Sequence, residues 1–121
     1  MYRYTKLFTT ILALLCAAAT YAECTPPEPP DSLPDGTTAT YEEMVEAHGA
    51  VRTFDADIRT FIVCLELEIK TLLEDPSVDD ATKDDLRTLL VGRTDAAVDE
   101  AEFVVAQFNE QLRLFRERDA P

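Results

Sequence analysis

One apolar position recurs every seven residues through a long stretch of this chain, and this spacing limits the fold more than any other feature. The row consists of Met44, Val51, Ile58, Leu65 and Leu72. A second row, three residues after the first, consists of Ala47, Phe54 and Phe61. Such a heptad pattern is typical of a coiled-coil-like helix that packs one stripe against another helix.

Local signals mark both ends of this helix. Thr40-Tyr-Glu-Glu43 fits a capping box, in which the threonine hydroxyl and the glutamate carboxylate cover free amides at the helix start. Pro76 disfavours the helical conformation in the residue before it. The sequence therefore predicts a first helix over residues 40–75.

A second long helix is predicted over residues 78–118. Ser77 and Asp79 are alternative caps for its start, and three arginines suit the negative end of its dipole. Its main apolar row consists of Leu86, Leu90, Ala97, Ala101, Val104, Phe108 and Phe115. Because only about four residues connect the two helices, they must fold back antiparallel. The chain lacks any alternating strand pattern, so the predicted fold class is all-α, with a two-helix hairpin over residues 40–118.

The second helix carries a further apolar row beside its main one. Val91, Val98, Val105 and Leu112 repeat every seven residues. A helix with so broad an apolar face needs more than one neighbour. Either the N-terminal part of the chain covers this row, or a second copy does and forms a four-helix bundle. We therefore regard the row as a candidate interaction face.

Residues 1–22 have the layout of a secretory signal peptide. Arg3 and Lys6 give a basic start, and the apolar run from Leu7 to Ala19 is shorter than the roughly 20 residues that cross a membrane as a helix. The predicted cut follows Ala22, with a cut after Ala19 and an uncleaved anchor as alternatives. We expect a periplasmic or secreted protein that has no membrane attachment after cleavage.

The charge balance argues against two classes of partner. The chain has 11 basic and 24 acidic residues, and the loss of Arg3 and Lys6 with the signal peptide leaves 9 basic residues and a net charge of −15. Such a surface repels nucleic acid and anionic membranes. A cationic partner or cations stay open, and solubility through self-repulsion is the simpler explanation of the charge.

Residues 23–39 are predicted to form an extended, proline-rich arm. Cys24 and Cys64 remain after cleavage, and two cysteines in an oxidising compartment indicate one disulfide. The alternative, a pair of metal ligands, lacks a Cys-x-x-Cys spacing and has only one histidine beside it. In polyproline conformation the residues from Cys24 to Thr40 span up to roughly 50 Å, whereas the helix from Thr40 to Cys64 needs roughly 36 Å. We expect the arm to turn near Pro34-Asp35-Gly36 and to run back along the first helix.

Several short motifs of the chain resemble a known family. They are PDGTTATYEEM at 34–44, VRTF at 51–54, CLELE at 64–68, DAAVDEAE at 95–102 and AQFNEQLRLF at 106–115. Over most of residues 24–115 the chain resembles a family of small exported proteins of Gram-negative bacteria that pair a Cys/Pro-rich N-terminal arm with a cysteine in a long helix. The resemblance implies a periplasmic helical protein and supplies no activity and no catalytic residues.

The densest acidic segment, from Glu74 to Asp85, lies at the predicted tip of the hairpin. Carboxylate oxygens are calcium ligands, but the segment lacks the spaced Asp/Asn loop with a central glycine that calcium loops use. Electrostatics at the start of a helix explain the acidic residues equally well.

No group of residues in the sequence points to catalysis. His48 is the only histidine, and the only serines, Ser32 and Ser77, fall in the arm and at a helix cap. The chain has no Cys-x-x-Cys-His motif and no glycine-rich phosphate loop, so we expect no cofactor. The sequence predicts a non-enzymatic interaction protein whose partner is another protein or a second copy. The alternative is a small ligand- or cation-binding module that uses the acidic tip.

Overall fold

The computed structural model describes residues 23–120, so the signal peptide predicted for residues 1–22 lies outside the described residues. Two helices follow an extended arm: α1 spans Tyr41–Glu74 and α2 spans Asp80–Arg118. They pack against each other as a hairpin, and residues 23–120 contain no strand. The predicted all-α hairpin is confirmed. Neither helix of this described part combines the length and the apolar character that crossing a membrane requires.

The start of α1 has the predicted capping box. The Glu43 amide donates a hydrogen bond to the Thr40 hydroxyl at 3.2 Å, and the Thr40 amide donates one to the Glu43 carboxylate at 2.7 Å. These two bonds satisfy donors that have no partner within the helix. At the other end, Asp75 is the C-cap residue of α1. Its backbone is extended, and Pro76 follows it directly.

The sequence offers two caps for the start of α2, Ser77 and Asp79, and the structure uses only one of them. Asp79 is the cap, and its carboxylate accepts a hydrogen bond of 2.8 Å from the Thr82 amide. Ser77 instead belongs to the turn, where its amide and hydroxyl donate to the Asp75 carboxylate at 2.8 and 2.6 Å. The helix therefore begins at Asp80, two residues later than the predicted start at residue 78.

The core lies along the seam between the helices. From α1 both heptad rows contribute, except that Leu72 at the tip end is exposed. From α2 the fully buried members are Ala97, Ala101, Val104 and Phe108. The two alanines leave room for the large side chains of α1 to pack close to the α2 backbone.

The arm is joined to the middle of α1 by a disulfide between Cys24 and Cys64, whose Cα atoms are 5.9 Å apart. This confirms the predicted bridge. Burial along the arm has a period of three, with Pro34 as the one half-buried residue outside it: the other buried or half-buried residues are Cys24, Pro27, Pro30, Leu33, Gly36 and Ala39. Three residues per turn is the repeat of a polyproline II helix. One face of the arm is therefore turned toward the helices.

The arm changes direction at residues 35–39, close to the predicted turn. The amides of Thr38 and Ala39 both donate to the Asp35 carbonyl, at 3.0 and 2.8 Å. The Asp35 carboxylate in turn accepts from the Thr37 amide and hydroxyl at 2.8 and 2.7 Å. These hydrogen bonds lower the pKa of Asp35, with the Thr37 hydroxyl as the largest cause.

Candidate functional site

One side of α2 is occupied by the arm. The Gly36 amide donates a hydrogen bond of 2.9 Å to the Gln111 side-chain oxygen. Near the end of α2, the Arg118 guanidinium donates a 2.8 Å bond to the Ala39 carbonyl and lies 4.6 Å from the centre of the Phe115 ring. The turn of the arm is thereby held against the last two turns of α2.

Gly36 lies directly against the backbone of α2. A Cβ atom at this position would collide with the backbone of Gln111 and of Phe115. The φ angle of Gly36 is not positive, so the glycine is required for space rather than for an unusual conformation. Between this point and the disulfide, arm residues 30–35 and α2 enclose a shallow depression of about 650 Å³.

The other side of the hairpin carries a groove to which the arm contributes no residue. This surface, here called the open groove, consists of two adjoining depressions of about 650 and 480 Å³ that share Asp55, Arg59, Val105 and Asn109. The α1 wall includes His48, Arg52, Asp55, Arg59 and Ile62, and the α2 wall includes Val98, Glu102, Val105, Asn109 and Leu112.

Three of the four residues in the predicted interaction face line the open groove. Val105 and Leu112 are half-buried and pack against the core, whereas Val98 is 38% exposed. Val91 is 60% exposed, lies nearer the tip and lines neither depression. The arm therefore leaves this row uncovered. Of the two covers that the heptad pattern allows, the N-terminal part of the chain is not the one used.

The charged residues of the open groove balance each other. Its two depressions contain two arginines, Arg52 and Arg59, and two carboxylates, Asp55 and Glu102. Asp55 and Arg59 form an ion pair with a nitrogen–oxygen distance of 2.9 Å, and the Arg59 side chain is 77% exposed. The rest of the chain carries the whole negative excess, so this groove differs electrostatically from its surroundings.

His48 lies at the end of the open groove that is nearer the start of α1. Its ring stacks on that of Phe108, with centroids 5.8 Å apart. The residue is exposed, and residues 23–120 include no buried polar or charged side chain. The groove thus presents apolar and aromatic surface between solvent-accessible charges, an arrangement that suits packing against another helix.

Two acidic side chains at the tip, those of Asp75 and Asp79, are engaged in local hydrogen bonds. Hydrogen bonds from Ser77 lower the pKa of Asp75, led by the one from the hydroxyl, and the Thr82 amide is the largest cause of the lowered pKa of Asp79. Both carboxylates thus act in the turn and the helix cap. Across residues 23–120 no group of three or more His, Cys, Asp or Glu side chains is arranged to hold a metal ion.

A second apolar surface lies beside the disulfide and was missed in the sequence. It contains the exposed side chains of Val63 and Leu67 on α1, next to Cys24 and Cys64. Both residues fall outside the two heptad rows, so the periodicity did not single them out. Their spacing of four residues on one helix face was the available signal.

Comparison with known proteins adds no relative: a scan against protein-family models, a search of curated proteins and a search of solved structures found no match. The geometry and the charges of the open groove are therefore the basis for its function.

Proposed function

We propose that this protein is a non-enzymatic, exported interaction protein that binds a helical partner through the open groove. The observation that carries the proposal is the uncovered row of Val98, Val105 and Leu112 between two helices. Exposed apolar surface rimmed by polar residues marks interaction sites, and the arm, which is the chain's own covering element, lies on the other side of α2.

The proposed location is the periplasm or the extracellular space. Signal-peptide features in residues 1–22 and the Cys24–Cys64 disulfide both support it, since disulfides persist mainly in oxidising compartments. Membership in the family of small exported Gram-negative proteins, which the chain resembles, belongs to the same proposal.

The character of the groove supports binding rather than catalysis. Its carboxylates are accessible to solvent, and one of them is already paired with an arginine. Acid–base catalysis generally relies on a carboxylate or histidine that burial or a neighbouring charge has shifted toward the working pH. The groove offers apolar contact area instead.

Photo-crosslinking in the exporting cell tests this function. A photoreactive amino acid at Asn109, on the α2 wall, should give crosslinked protein products. The matched control is the same amino acid at Thr53, which is exposed on α1 and lines neither depression of the groove. Equal crosslinking at both positions, or none at Asn109, would contradict the proposal.

A further inference from the structure

We infer that the partner in the open groove is a second copy of this chain, which presents the same groove. Two hairpins then form a four-helix bundle about a two-fold axis parallel to the helices. The inference rests on the proposed function and names its partner.

Charge is the first argument for a second copy. Two chains that each carry a net charge of −15 without the signal peptide repel each other over most of their surfaces. The open groove is different, because its two arginines and two carboxylates cancel. Two copies can approach through this face without adding to the repulsion.

The positions of the charges select the arrangement of the two copies. Arg59 on the α1 wall and Glu102 on the α2 wall line the same depression, so their long, exposed side chains share one short stretch of the open groove. A two-fold axis parallel to the helices places each α1 wall against the α2 wall of the other copy at equal height. Arg59 then faces Glu102 of the second copy, and symmetry repeats the pair.

The other face-to-face arrangement lacks this pair. A two-fold axis perpendicular to the helices would place α1 against α1 and α2 against α2, which separates Arg59 of one copy from Glu102 of the other. Arg59 is exposed enough to accept a second carboxylate while it keeps its ion pair with Asp55.

The length of the helices decides how much area such a dimer buries. The open groove runs over residues 48–62 of α1 and 98–112 of α2, which is roughly 22 Å of helix, and two adjacent helices are about 20 Å wide. The groove alone thus offers on the order of 400 Å² per partner, and the parts of the 34- and 39-residue helices beyond it supply the rest of the roughly 800 Å² of a standard interface. The heptad spacing of Val98, Val105 and Leu112 suits the packing of four helices.

Sedimentation equilibrium of the oxidised protein without its signal peptide tests the inference through charge reversal. The wild type should be a dimer. Arg59→Glu places two acidic pairs at the interface and Glu102→Lys places two basic pairs, so each variant alone should dimerise at least about tenfold more weakly. Both side chains are exposed, and circular dichroism should show that both variants keep the wild-type helix content.

The decisive sample is an equimolar mixture of the two variants. In a heterodimer, the glutamate introduced at position 59 of one chain faces the lysine introduced at position 102 of the other. The second pair keeps its native residues, Arg59 and Glu102, so both pairs attract and the mixture should sediment as a dimer with nearly wild-type affinity. A mixture no more associated than the separate variants would overturn the inference. A wild type that is monomeric up to about 0.1 mM would overturn it as well.

The crosslinking experiment separates this inference from the proposed function. A product from position 109 with twice the mass of the chain supports both. A product of another mass, together with a monomeric wild type, leaves the function standing and removes the second copy as the partner. With a monomeric wild type, no product at all removes both.

Discussion

The backbone amide of Gly36 and the side-chain oxygen of Gln111 are 2.9 Å apart, although the two residues are separated by 75 positions in the sequence. This hydrogen bond joins the turn of the arm to α2, while the disulfide joins the start of the arm to α1. The arm therefore connects both helices, and its two attachment points can be tested separately.

Substitution of Gly36 should loosen the arm from α2. Gly36→Ala introduces a Cβ atom that collides with the Gln111 backbone, and overpacking of this kind destabilises by about 1–3 kcal/mol. Urea unfolding followed by circular dichroism measures the change. The matched control is Gly49→Ala, where no atom lies within 4 Å of the added Cβ and removal of a helical glycine should stabilise by up to about 1 kcal/mol. Equal effects of the two substitutions would contradict the close contact.

Removal of the Gln111 side chain should leave the Gly36 amide without its acceptor. Gly36 is buried, and an unsatisfied buried donor costs about 1–3 kcal/mol. Gln111→Ala should therefore lower the unfolding free energy by about this amount, measured by urea denaturation. Gln107→Ala, one turn earlier on the side that contacts the arm, should have a smaller effect, because no hydrogen bond joins Gln107 to the arm. A larger loss at Gln107 would show that the hydrogen bond contributes little.

Loss of the disulfide should remove a large part of the stability. The bridge closes a loop with a sequence separation of 40, for which the chain-entropy model gives about 4 kcal/mol. The double variant Cys24→Ser, Cys64→Ser should show a reduction of this size in urea unfolding. Addition of a thiol reductant should lower the wild-type melting temperature and leave that of the variant unchanged. A reductant effect on both proteins would point to another cause.

The capping box should make stability depend on pH in a defined window. Hydrogen bonds from the Thr40 amide and then the Thr40 hydroxyl lower the pKa of Glu43 below its ordinary value of 4.5. The folded-state pKa is the lower one, so this contribution is present above about pH 4.5 and is lost as the pH falls through the folded-state pKa. Glu43→Gln should lower the melting temperature at pH 7, and the difference from wild type should shrink as the pH falls below about 4.5.

Glu42→Gln provides the control for this pH dependence. Glu42 lies in the same turn of α1 but does not take part in the capping box. Both substitutions remove one negative charge, so the change in net charge is the same in the two variants and cancels when they are compared. A Glu43 difference that stays constant between pH 7 and pH 3 would show that the capping bond does not control the titration.

The helices and the disulfide were predictable because they depend on neighbouring residues or on the number of cysteines. The capping box at Thr40, the proline at position 76 and the heptad rows are each recognised from neighbouring residues, and the two cysteines outside the predicted signal peptide allow one pairing. The start of α2 was less certain, because Ser77 and Asp79 are both good caps. The hydrogen bonds of Ser77 to Asp75 decide between them.

The side of α2 that the arm covers was not predictable from hydrophobic periodicity. Gln107, Gln111 and Val104 line the depression between the arm and α2, so polar residues mark part of the face toward the arm while the apolar row of Val98 and Val105 stays open. The requirement for glycine at position 36 has the same origin. It depends on a neighbour 75 positions away, which no local pattern records.

The period of three along the arm limits how the length of this segment can change. In a polyproline II helix each inserted or deleted residue rotates all residues on one side of the change by about 120°, which would turn Leu33 and Pro30 away from the hairpin. A change of three residues leaves the same residues facing the hairpin but alters the length between Cys24 and Gly36. Both of these residues are fixed, Cys24 by the disulfide and Gly36 by its hydrogen bond to Gln111. Natural variants of this architecture should therefore keep a constant number of residues between these two positions, while the outward-facing residues of the segment are free to diverge.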